Sequence, residues 1–72
     1  MEFGKKLSAL RAERGLTQKQ AAEAMGMTVR QYQRFEKQEQ KPGFDNLLRL
    51  ADFYGVSVDW LMGRTQRREV WR

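Results

Sequence analysis

Seventy-two residues with no Cys and no His make one small domain that has no disulfide, no thiol or imidazole chemistry and few of the usual metal ligands. A single core of this size contributes only about 3–5 kcal/mol of stability. Fourteen basic residues against nine acidic ones leave a net charge of +5, which suits a polyanion such as DNA, although residues 64–72 hold four Arg and one Glu and so carry +3 of it. The opening MEFGKKLSALRAERG lacks the apolar run of a secretory signal, and no stretch approaches the ~20 apolar residues of a membrane span, so a cytoplasmic protein is expected. The acids Glu13, Glu23, Asp45, Asp52 and Asp59 fall on helix faces and helix starts and give no pair with a shared pocket. Neither a catalytic site nor a cofactor is expected.

Taken in order, Phe3, Leu7 and Leu10 repeat at i, i+4, i+7 and predict a first helix over about 3–14 with one buried face. Lys5, Lys6, Arg11, Glu13 and Arg14 read as its solvated side, Gly15 as its stop and Leu16 as a return to the core. The stretch Thr17 to Glu36, TQKQAAEAMGMTVRQYQRFE, then starts two helices eleven residues apart. Thr17 with Gln20, and Thr28 with Gln31, have the Thr-x-x-Gln form of a capping box. Gly26 stops the first of these helices. Ala21, Ala22 and Met25 share a face of it, Tyr32 and Phe35 share a face of the second, and Met27 and Tyr32 occupy the positions of a hydrophobic staple. The two faces should meet, which leaves Thr28, Val29, Arg30, Gln33 and Arg34 on a polar, basic, outward surface.

The segment 37–43 contains the only Pro and has no apolar period, so it is a loop. Phe44, Leu47, Leu48, Leu50, Ala51 and Tyr54 predict a fourth helix with a wide core stripe, closed by Gly55. Ser57 reads as the N-cap of a short fifth helix with Asp59 in its first turn and a staple of Val56 and Leu61, closed by Gly63. Trp60 and Met62 either finish the core or form a self-association surface. The tail RTQRREVWR is polar apart from Val70 and Trp71 and is expected to be flexible, with a helical extension or a dimer contact through Trp71 as the alternative.

Leu16-Thr17-Gln18, Ala22, Gly26-Met27-Thr28, Tyr32, Phe35-Glu36, Pro42, Leu47, Leu50-Ala51, Tyr54-Gly55-Val56-Ser57, Asp59-Trp60-Leu61 and Gly63 together resemble the phage-repressor family of helix-turn-helix domains, the Cro/repressor or Xre type. The resemblance covers about residues 3–63. It implies an all-α, compact five-helix domain over 1–63, with the helix-turn-helix formed by the second and third helices, followed by the basic tail 64–72. It also implies sequence-specific binding of double-stranded DNA by a major-groove recognition helix over about 28–37, in a transcriptional regulator and specifically a repressor.

Carried over residue by residue, the resemblance gives base contacts to Val29, Arg30, Gln33 and Arg34, with Thr28 capping and touching backbone or base. Arg30 and Arg34, one turn apart, each suit guanine O6 and N7; Val29 suits a thymine methyl and Gln33 an adenine. At least one required G·C pair per half-site, with a thymine near it, follows. Gln18 stands where the family contacts a phosphate, and Lys19, Lys37 and Lys41 are further backbone candidates. Glu36 is expected to hydrogen-bond within the domain. Where the family has Gly as the cap of the recognition helix this chain has Gln38, so that helix is expected to run slightly longer or to end through another residue.

One recognition helix covers too few base pairs for useful discrimination, so a homodimer on a palindromic operator is expected, formed in solution or only on DNA, with half-sites ~34 Å apart. Trp60, Met62 and Trp71 are its candidate contacts. The competing reading is an antitoxin-like or adaptor protein whose main ligand is a protein partner.

Overall fold

Local capping sets the helix boundaries. The structure, a computed structural model, describes residues 3–68: α1 spans Phe3–Glu13, α2 Gln18–Met25, α3 Val29–Glu36, α4 Phe44–Tyr54 and α5 Val58–Leu61. Thr17 caps α2 with both halves of the box, its Oγ1 accepting from the Gln20 amide while Gln20 Oε1 accepts from the Thr17 amide. Thr28 caps α3 through the Gln31 amide alone. Between these helices Gly26 takes φ 72°, ψ 29°, a left-handed conformation that costs a side chain about 1–2 kcal/mol and Gly almost nothing. The turn is therefore sharp enough to lay α3 across α2.

The staple forms as expected, with Met27 and Tyr32 both buried. Leu7, Leu10, Ala21, Ala22, Tyr32, Phe35, Leu50, Ala51, Val56 and Leu61 make the centre of the core. The hydroxyls of Tyr32 and Tyr54 meet at 2.5 Å inside it, so two buried polar atoms satisfy each other. Against this core α3 packs on α2 and α1, and α4 on α5 and α2. Among the described residues there is no strand, and no helix is long and apolar enough to cross a membrane.

Three sequence expectations are revised. The α4 stripe is narrower than its periodicity suggests: Leu47, Leu50, Ala51 and Tyr54 are buried, but Phe44 is 72% exposed and Leu48 38% exposed. Phe44 and Leu48 stand one turn apart at the edge of the stripe, where so small a domain has no layer left to cover them. On α1 the charges are not all solvated. Lys6 is 7% exposed, with its ammonium donating to the Trp60 carbonyl and lying 4.3 Å from the Trp60 ring centroid, and burial pulls its pKa below the usual lysine value. Arg11 points into the domain as well. Finally, of the two alternatives for the end of α3 the longer helix is dropped and the other holds: α3 stops at Glu36 and the chain leaves it through Gln38, which takes the left-handed conformation at φ 61°.

Residues 67 and 68 pack back against α1 and α5. Ser57 donates its amide to the Arg68 carbonyl at 2.7 Å and its hydroxyl to the Arg67 carbonyl at 3.3 Å. Arg68 forks onto Glu13 at 2.9 and 3.1 Å and lies 5.3 Å from the Trp60 ring. Trp71 lies outside the described residues.

Candidate nucleic-acid interface

The outer surface of α3 follows from how its inner surface is held. Tyr32 and Phe35, one turn apart, are fully buried, which fixes the rotation of the helix about its own axis. Thr28, Val29, Arg30 and Arg34 are then exposed and Gln33 is half-buried. Among the described residues Arg30 and Arg34 make no ion pair, so both guanidinium groups point to solvent on one side of a rigid helix. Val29, 37% exposed, sits beside them in the first turn.

A polar relay runs under this surface from α1 to α3. Arg11 Nε donates to Glu36 Oε2 at 2.8 Å and its Nη2 to Oε1 at 3.3 Å, while Nη1 donates to the Leu16 carbonyl at 2.9 Å. Gln18 Nε2 donates to Glu36 Oε1 at 2.9 Å, and Gln33 Nε2 donates to Gln18 Oε1 at 3.1 Å. Burial pushes the Glu36 carboxyl up, but hydrogen bonds from Arg11, Gln18 and Tyr32 and the Arg11 charge outweigh it and hold the group below the usual carboxylate range. Glu36 is thus an internal anion that ties the start of α2 and the end of α3 to α1, as its expected role within the domain requires.

The N-terminus of α2 opens beside the relay. Thr17 satisfies the amides of Gln20 and Ala21; among the described residues the amides of Gln18 and Lys19 are the remaining donors of that first turn, aimed along the positive end of the helix dipole. A phosphate fits such a site. Lys19, Lys37 and Lys41 are exposed.

At the far end of α3, Gln38 Oε1 accepts from the Gly4 amide at 3.0 Å, so the side chain at the strained position also caps the start of α1. The contact is close. A Cβ on Gly4 would lie 2.0 Å from the Glu36 carbonyl oxygen, which only glycine permits.

Of the residues expected at the interface, the structure brings Gln18 and Gln33 into direct contact, sets Val29, Arg30 and Arg34 together on the α3 surface, and places Lys37 and Lys41 in the segment that follows it. Sequence reasoning missed Arg11 and Gln38, whose partners Glu36 and Gly4 are remote in the chain. The one signal for Arg11 was Glu36 itself, an acid on an otherwise basic helix that needs a cation to be buried. Of the candidate dimer contacts, Met62 is 57% exposed and shares a groove of about 540 Å³ with Phe3, Pro42, Leu47 and Leu61. Trp60 is half-buried against Lys6 and Arg68.

This arrangement of two capped helices, a left-handed glycine turn and an outward basic second helix matches known proteins over most of its length. A helix-turn-helix family profile covers residues 7–61. The chain belongs to the helix-turn-helix family of phage-repressor, Xre type. It is similar to the HTH-type transcriptional regulator ImmR of Bacillus subtilis, with 36% identity over 66 residues, 92% of this chain and 52% of that protein. The cryptic phage CTXphi transcriptional repressor RstR of Vibrio cholerae is 34% identical over 64 residues, 89% of this chain and 58% of that protein. With the HTH-type transcriptional regulator PuuR of Escherichia coli the identity is 36% over 55 residues, 76% of this chain and 30% of that protein. The chain thus spans about half the length of ImmR and RstR.

Proposed function

We propose that this helix-turn-helix domain binds double-stranded DNA sequence-specifically, with α3 in the major groove, and acts in transcription regulation as a repressor. The observation that carries the reading is the surface of α3: Val29, Arg30 and Arg34 project from a helix whose rotation is locked by Tyr32 and Phe35, beside the open first turn of α2. Arg30 and Arg34 take guanine O6 and N7, Val29 packs on a thymine methyl and Gln33 faces an adenine. Gln18, Lys19, Lys37 and Lys41 hold the phosphates on either side, giving register without sequence information. The names of ImmR, RstR and PuuR as transcriptional regulators or a repressor support the same reading.

A single domain measures 29 Å along its longest axis, short of the ~34 Å between half-sites on one face of the duplex. Reading both half-sites of a palindromic operator therefore takes two copies, and Met62 with its groove, together with Trp60, is the surface we assign to their contact.

Selection of bound duplexes from a random pool by the purified protein at ~150 mM salt, where non-specific binding is weak, tests the proposal. Enrichment of a palindrome with fixed guanines is the expected result. A pool that stays random would overturn it and favour the adaptor reading, in which the domain binds a protein.

A further inference from the structure

The relay beneath α3 has a direction that its chemistry forces. Glu36 is held ionised, so both of its oxygens only accept, and Arg11 can only donate to them. Gln18 must therefore turn its amino group to Glu36, at 2.9 Å, which leaves its carbonyl Oε1 facing Gln33. Gln33 in turn must offer an amino hydrogen, and does so at 3.1 Å. A glutamine on an open surface can rotate its amide by a half-turn and exchange donor for acceptor. Here that rotation would set Gln33 Oε1 against Gln18 Oε1, two acceptors with no hydrogen between them.

Resting on the reading of α3 as the major-groove helix, we propose that Glu36, acting through Gln18, fixes the amide of Gln33 so that it reads a base carrying an exocyclic amino group. Gln33 keeps Oε1 and one N–H for DNA. Adenine matches both, its N6 amino group donating to Oε1 and its N7 accepting the remaining N–H. Cytosine matches Oε1 alone through its N4 amino group. Guanine and thymine present only acceptors and a methyl on that edge, so Oε1 is left facing a group that cannot donate to it. Glu36 and Gln18 are thus positioning residues for a base contact that Glu36 does not itself make. Val29, in the first turn of α3, has no polar atom to share this role.

Base preferences measured by pool selection for the wild type and for Gln33→Ala, Gln18→Ala, Glu36→Gln and Arg30→Ala test the proposal. The position that Gln33→Ala flattens should favour adenine over guanine in the wild type by about 5- to 100-fold, the discrimination a good side-chain–base pair carries. At that position Gln18→Ala and Glu36→Gln should bring the ratio towards parity, while the positions that depend on Arg30 keep their preference. A merely structural loss would weaken all sequences alike. Should Glu36→Gln fail to fold by its thermal melt, Gln18→Ala decides alone, because it removes one amide at the edge of the domain. Guanine or thymine preferred at the Gln33 position, or an unchanged adenine preference in Gln18→Ala, would overturn the proposal. Should Gln33→Ala flatten no position while Arg30→Ala does, this proposal fails and the groove reading stands; if Arg30→Ala also changes none, the groove reading fails with it.

Discussion

Gln38 combines two roles that favour different residues. Its backbone sits at φ 61°, where glycine is unstrained, and its side chain accepts from the Gly4 amide across 34 residues of sequence. The hydrogen bond offsets the strain. Replacing Gln38 by Ala keeps the strained backbone and removes the cap on α1, and should cost about 1 kcal/mol in denaturant unfolding. Gly4→Ala should cost more, about 2–3 kcal/mol, since its methyl would press on backbone atoms of Glu36 that cannot rotate away. Sequence periodicity cannot reveal such a residue. A left-handed glutamine looks like any other glutamine, and the partner that makes it tolerable is a backbone amide at the other end of the domain.

At the scale of elements, what was legible was what is local. Thr17 lies three residues from its capping partner Gln20, so α2 and its start could be read directly; Thr17→Ala should destabilise the domain by about 1 kcal/mol. The turn at Gly26 and the Met27–Tyr32 staple were legible for the same reason. The charged residues of α1 were not, because Lys6 finds Trp60 54 residues away and Arg11 finds Glu36 25 residues away. Nor could the pattern tell that Phe44 and Leu48 lie at the edge of the α4 stripe, since a helix period marks a face and not the layer that covers it.

The Arg11–Glu36 pair also sets a pH dependence. Glu36 has a lower pKa folded than unfolded, so over the interval between the two values the unfolded chain binds more protons. Its contribution is therefore complete above the usual carboxylate pKa of about 4.3 and is lost as the pH falls through the folded value. Thermal stability should drop from about pH 5 downwards, and Glu36→Gln should flatten that slope. Arg11→Ala, which leaves the carboxylate buried without its cation, should cost about 2–4 kcal/mol at neutral pH. Against a total near 3–5 kcal/mol that is enough to unfold much of the protein.

At the scale of the whole molecule, the distribution of charge and the contact between copies matter most. If the outward cations of α3 and of the segment after it meet phosphates as proposed, DNA binding should be salt-dependent, with log K falling against log salt by about 0.9 per phosphate contact. Lys37→Ala and Lys41→Ala should each reduce that slope by about one while leaving the selected sequence unchanged. Met62→Asp places a carboxylate in the exposed groove and should abolish two-site occupancy of a palindrome in sedimentation, with single half-site binding retained.

The claim on which the rest depends is that Arg30 and Arg34 read bases. Its most direct test is titration of the selected duplex and a scrambled duplex, at one salt concentration, with the wild type and with an Arg30→Ala/Arg34→Ala double variant shown to be folded. The wild type should prefer the selected duplex by ~10³-fold or more, the lower end for specific DNA binders, and the variant should bind both duplexes almost equally. A folded variant that keeps the wild-type preference would contradict the account.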